Sequence, residues 1–123
     1  MNKQRPVNLD LTKFRFPPMA IVSILHRLSG VLIFLLLPLA ICLLHCSLSS
    51  PKGFAQAAVF FNPFVKFLVW VMCCAILFHL VAGIRHLIMD LGFGESVTAG
   101  RVSAYTVFVV AIVLFILMGV WIW

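Results

Sequence analysis

Two short runs in this chain carry side chains able to do chemistry where apolar residues are the rule. The first is His79-Leu-Val-Ala-Gly83-Ile-Arg85-His86-Leu-Ile-Met-Asp90, and the second is Ser23-Ile-Leu-His26-Arg27-Leu-Ser29-Gly30. Both lie inside stretches long enough to cross a bilayer. An ionisable group there costs roughly 2.5–3.5 kcal/mol by insertion scales, so it calls for a partner or a function. At about 100° per residue, His79, His86 and Asp90 fall within about 20° of one helical face. Gly83, four residues after His79, clears bulk from that face. An imidazole beside a bare strip of helix suits a flat, bulky cofactor such as haem. Two other readings stay open: a structural histidine hydrogen-bonded between helices, and a proton relay through His79, His86 and Asp90.

The second run makes a face of its own. Relative to Ser23, Arg27 lies at about +40°, Gly30 at about −20° and His26 at about −60°. An arginine near the start of a span can snorkel to the interface, but a shared Ser, His and Arg face suggests more. Ser23 offers a hydroxyl and Arg27 a fixed charge. A quinone needs such donors for its carbonyl oxygens and two protons on reduction.

These runs are positioned by three apolar segments, about 20–45, 63–90 and 102–123. Each reaches the roughly 20 residues that span a hydrocarbon core. The composition agrees, with 64% hydrophobic and 10% charged residues against about 25% charged in a soluble domain. Backbone groups in lipid must be satisfied internally, and the unbroken apolar runs lack a barrel's alternation. The expected fold is all-α and integral to the membrane, with three transmembrane helices. A polar arm, 1–18, precedes a membrane domain, 19–123. Pro17 and Pro18 block the helix upstream, Pro38 predicts a kink, and Ser47 to Gly53 reads as a simple turn.

Lys3, Arg5, Lys13, Arg15 and Arg27 precede or open the first span, and Arg85 and Arg101 flank the second connection. Only Lys52 and Lys66 flank the first. The positive-inside rule then puts the N-terminus and second connection in the cytoplasm, with Trp121 and Trp123 anchoring the other face. A net charge of +6 needs no nucleic acid to explain it. No cleavable signal or organellar presequence is visible, which favours a multi-pass protein of a bacterial inner membrane. Cys42, Cys46, Cys73 and Cys74 fall within spans, without a CxxCH or CxxC pattern, and read as buried thiols packed between helices.

Depth relates the two runs. In antiparallel spans, His86 and Ser23/His26/Arg27 come level near the cytoplasmic boundary, and His79 lies about 10 Å deeper at 1.5 Å per residue. His45 sits near the outer end, about 20 Å from His79, so a second axial histidine would come from another chain. Three helices cannot bury all these polar faces among themselves, which implies a partner membrane subunit.

Together with the arm Arg5-Pro6-Val7-Asn8-Leu9-Asp10-Leu11, the two runs resemble the cytochrome b subunits of succinate dehydrogenase, respiratory complex II, in its proteobacterial form. The resemblance covers nearly the whole chain. It implies a membrane anchor that shares one haem b with a second small anchor subunit, each giving an axial histidine. The pair docks an iron–sulfur subunit and a flavoprotein subunit, and ubiquinone accepts the electrons near the cytoplasmic side. By resemblance His79 is the iron ligand, Ser23 and Arg27 belong to the quinone site, and His26 and Arg27 approach the haem propionates. Arg85, His86 and Asp90 match the motif without assigned roles, hydrogen bonding at the propionates or a subunit interface being the plain reading. No catalytic residue is implied in this chain, which would act only as a non-flavin subunit of the enzyme. There is no GxGxxG, and the extra mid-membrane histidines of a di-haem anchor are missing. The alternative function is a small membrane transporter or proton-relay subunit, against which the lack of an inverted repeat weighs.

Overall fold

The structure, a computed structural model, describes residues 15–123; the sequence features of the arm up to Phe14 lie outside the described residues. Four helices follow in order: α1 (Pro18–Ser49), α2 (Pro51–Phe60), α3 (Pro63–Asp90) and α4 (Val97–Ile122). Three of them, α1, α3 and α4, are long and apolar enough to cross a membrane. The protein is thus an all-α membrane protein, with one short helix beyond the three expected.

Helix starts are written locally. Proline opens α1, α2 and α3, where its missing N–H costs nothing. The side chain of Ser50 accepts from Gly53 N at 2.9 Å, and Asn62 Oδ1 accepts from Val65 N at 3.0 Å. Ser96 caps α4, accepting from Ala99 N at 3.2 Å. Each cap satisfies one of the backbone donors left over at a helix start. Between α3 and α4 the chain reverses through Gly92 and Gly94, with φ of 85° and 74°, a left-handed backbone that glycine takes without steric cost.

Three expectations change. The segment after Ser50 is not a simple turn: Ser50-Pro51 forms a helix start and α2 packs beside α1. The third span begins at Val97, five residues before the expected position, because Ser96 supplies the cap. Cys42 is exposed, and Cys46, Cys73 and Cys74 are half-buried, so the thiols are not sealed between this chain's own helices. Helix α1 runs continuously through Pro38.

Contacts fix the topology. Leu36, Leu39 and Leu43 of α1 line one seam with Val65, Leu68 and Met72 of α3, while His26, earlier in α1, stacks on His79, later in α3. Position numbers rise along α1 as they fall along α3, so the two are antiparallel. Arg85 bonds Gly100 and Ser103 while Trp70 Nε1 donates to Phe115 O at 3.2 Å, so α3 and α4 are antiparallel as well. The start of α1, the end of α3 and the start of α4 share one end of the bundle.

Small residues let the backbones approach, as membrane helices require when the hydrophobic effect offers no drive between them. The core is Val22, Phe78, Ala82, Ala104, Val107 and Ala111. At Gly100, an added Cβ would lie 2.5 Å from Met19 Sδ, so glycine is what seats α1 against α4. Large apolar side chains such as Phe34, Leu48, Val120 and Trp121 point outward and are about four-fifths exposed, facing lipid or another chain.

Candidate functional site

At the shared end, the α1–α3 seam opens into a groove of about 570 Å³. Its polar lining is Ser23, His26 and Arg27 from α1 with His79, His86 and Asp90 from α3. Leu80, Gly83, Ile84 and Leu87 supply the apolar part. All the singled-out side chains except Arg85 meet here.

Three imidazoles form the centre. His26 stacks on His79 with ring centroids 4.0 Å apart and planes 21° apart. His86 is tilted against the same ring, 5.2 Å from it. His79 and His86 are about 10 Å apart along α3, and His26 reaches both because it projects at the depth between them.

Hydrogen bonds assign the tautomer of His79. Its Nδ1 lies 3.1 Å from the carbonyl oxygen of His26 and 3.0 Å from Ser29 Oγ. A carbonyl can only accept, so Nδ1 carries the proton. Ser29 gives its own hydroxyl hydrogen to that carbonyl at 2.8 Å, which leaves its oxygen to accept from Nδ1–H. In the neutral ring Nε2 is then the unprotonated nitrogen, with a lone pair available to a metal. Fixing a ligand's far N–H on a carbonyl and hydroxyl is how outer partners orient metal-binding histidines.

Two glycines make this packing possible. A Cβ at Gly30 would lie 3.1 Å from His79 Cε1, and one at Gly83 would lie 3.4 Å from His26 Nε2. Gly83 was expected to clear a strip for a cofactor; it borders the groove, but its nearest neighbour is the His26 ring. Ser29, with 8% of its surface exposed, is a functional candidate that the sequence reading gave no place, and Gly30, placed there on the polar face, acts by admitting the His79 ring. The available signal for Ser29 was its place three residues after His26, about one turn along the same face.

Arg85 lies elsewhere. It follows the third face of α3 toward α4, where Nε donates to Ser103 Oγ at 2.9 Å and Nη2 to Gly100 O at 3.2 Å. One residue before His86, it is turned about 100° away, enough to put the two on different seams. His45 borders a separate outer hollow with Cys42 and Pro38.

The donor set suits haem rather than a bare ion. Among the described residues no group of three or more His, Cys, Asp or Glu could hold a metal ion. Of the three imidazoles here, His79 is the one whose Nδ1 is held by hydrogen bonds to another helix, beside an open, largely apolar groove that Arg27 also lines. A haem would bring most of its iron's donors and its own carboxylates, so His79 would be the residue to hold the iron and Arg27 a cation for the carboxylates.

Residues 1–118 match the family model described as succinate dehydrogenase/fumarate reductase transmembrane subunit. The chain belongs to this family. It is 58% identical to a succinate dehydrogenase cytochrome b556 subunit of Coxiella burnetii, over the full length of both chains. Subunits of the same description from Rickettsia felis and Paracoccus denitrificans are 31% and 30% identical. These matches cover 95% and 92% of this chain and 92% and 88% of theirs. As a member, the chain is a membrane-spanning subunit belonging to an oxidoreductase complex.

Proposed function

We propose that this chain is the cytochrome b anchor of a succinate:ubiquinone oxidoreductase. In this reading it holds one face of a haem b, and a second small anchor subunit supplies the facing wall and the other axial histidine. The observation that carries it is the pinning of His79 Nδ1 by His26 O and Ser29 Oγ, which leaves Nε2 as the ligand atom. Haem supplies a one-electron carrier there. Arg27 and His26, on the same groove, hold its carboxylates. His86 and Asp90 extend the polar rim and bind water or a neighbouring subunit.

Ser23 and Arg27 serve the quinone. A serine hydroxyl donates to a carbonyl oxygen, and a guanidinium keeps its charge while that oxygen gains electron density. The iron–sulfur and flavoprotein subunits dock at this end of the bundle, on the cytoplasmic side of a bacterial inner membrane. The arm, 1–18, lies on that side, and residues 19–123 form the membrane domain. The chain carries out no chemistry without those subunits.

The test is spectroscopic. In the assembled complex, His79→Ala abolishes or shifts the reduced-minus-oxidised b-type haem band, while Ser23→Ala leaves it in place and lowers quinone reduction. Arg27→Ala lowers kcat/KM for quinone by roughly tenfold or more, the scale of one lost charge-assisted hydrogen bond. An unchanged haem spectrum and haem content in the His79 variant would remove the ligand assignment.

A further inference from the structure

A second groove, of about 560 Å³, runs between α3 and α4 on the side of α3 away from the histidines. It begins at the turn residues Phe93 and Gly94 and continues inward along Ile88, Val102 and Thr106. Its wall is apolar apart from a few groups, and one of them is charged. Arg85 borders it with 7% of its surface exposed.

Among the described residues the charge of Arg85 has no counter-ion. The acidic side chains among the described residues are Asp90 and Glu95, and the groups bonded to Arg85 are Ser103 Oγ and Gly100 O instead. Both are neutral, and they engage Nε and Nη2. Among the described residues no buried side-chain nitrogen or oxygen lacks a hydrogen-bond partner. Nη1, which bonds neither group, is therefore not wholly sealed, and the groove that Arg85 lines is this one. A lone arginine at this depth would extend toward water, but the bonds to Ser103 and Gly100 hold this one in the seam. Gly100 lies in the first turn of α4, whose backbone N–H groups add positive potential at the same end.

From this we infer that the α3–α4 groove is a seat for an anionic phospholipid. Its phosphate pairs with Nη1 of Arg85 at the level of the first turn of α4, and an acyl chain lies along Ile88 and Val102. The charge argues for the anionic headgroup, and the inward apolar continuation argues for an attached chain. The phosphate supplies the charge that a guanidinium in a low-dielectric seam otherwise lacks. This site is independent of the haem and quinone assignments on the other side of α3.

The test is native mass spectrometry of the intact complex in mild detergent, with phosphatidylglycerol and phosphatidylcholine supplied in equal amounts. The wild type is expected to retain phosphatidylglycerol preferentially through washing, and Arg85→Gln to lose that preference. Ile88→Trp fills the groove while leaving the bonds of Arg85 in place. It is expected to lower retention by about the same factor with the haem spectrum unchanged. Equal retention of both lipids by the wild type overturns the inference. So does retention unaltered in both variants, or displacement of the lipid by millimolar inorganic phosphate alone. Should Arg85→Gln fail to assemble, Ile88→Trp decides. If Ile88→Trp also prevents assembly, the groove is covered by protein and the inference falls.

Discussion

His79 is held by an atom of the helix it packs against and by a hydroxyl one turn further on, and the two restraints can be separated by mutation. Ser29→Ala removes one acceptor from Nδ1–H and leaves the carbonyl of His26 in place. The tautomer is retained and the basicity of Nε2 falls, since outer partners raise a ligand's donor strength. The expected result is a complex that still carries haem with a shifted midpoint potential, read by redox titration of the haem band. Gly30→Val acts on the ring itself. With a Cβ already 3.1 Å from His79 Cε1, two further methyl groups push the imidazole off its position. Haem content should then fall well below that of Ser29→Ala, as measured by pyridine haemochrome per complex. Equal haem content and potential in both variants and the wild type would mean that neither residue positions His79. Sequence showed the imidazole and its glycine neighbourhood but not this pair of restraints, because a serine in a helix most often bonds its own backbone. Ser29 does that and also faces another helix.

At the scale of elements, the seams rest on small residues in register. Ala75, Phe78, Ala82 and Arg85 recur along one face of α3, and Gly100, Ala104, Val107 and Ala111 along one face of α4. Ala82 is fully buried, so a larger side chain has nowhere to go without parting the helices. Ala82→Leu should destabilise the assembled complex by about 1–3 kcal/mol, the usual cost of overpacking a filled core, seen as a lower Tm in detergent. Its neighbour Leu80, more than half exposed, should tolerate Leu80→Ala with a much smaller change. The three spans were legible from hydropathy because their apolar runs are unbroken. The rotation of each was not, because helices apolar all round present little periodic contrast between faces. This is why Arg85 was grouped with His86 though they serve different seams. Helix α2 escaped notice for a local reason: its ten residues, opened by Pro51 and capped by Ser50, are written in cap chemistry, not in hydropathy.

For the molecule as a whole, the end that carries both grooves also carries most of the basic residues near the span ends among the described residues. Arg15, Arg27 and Arg101 lie there by the topology of the bundle, while Lys52 and Lys66 lie at the other end. Lys66 Nζ is 5.8 Å from the Trp123 ring, a cation–π distance that brings the start of α3 to the end of α4. Net charge alone would not orient such a chain, but basic residues near the span ends do. The grooved end is therefore expected in the cytoplasm, where soluble redox subunits can dock. In a variant with its four cysteines replaced, Glu95→Cys should react with a membrane-impermeant maleimide only after cells are broken or vesicles inverted. Lys52→Cys should react from the outside of intact spheroplasts. The opposite pattern would turn the protein over and separate the histidine groove from a cytoplasmic electron donor. It would leave the tautomer of His79 untouched while removing the proposed route of electrons to the quinone. Labelling the two positions thus tests the assembly independently of the iron ligand.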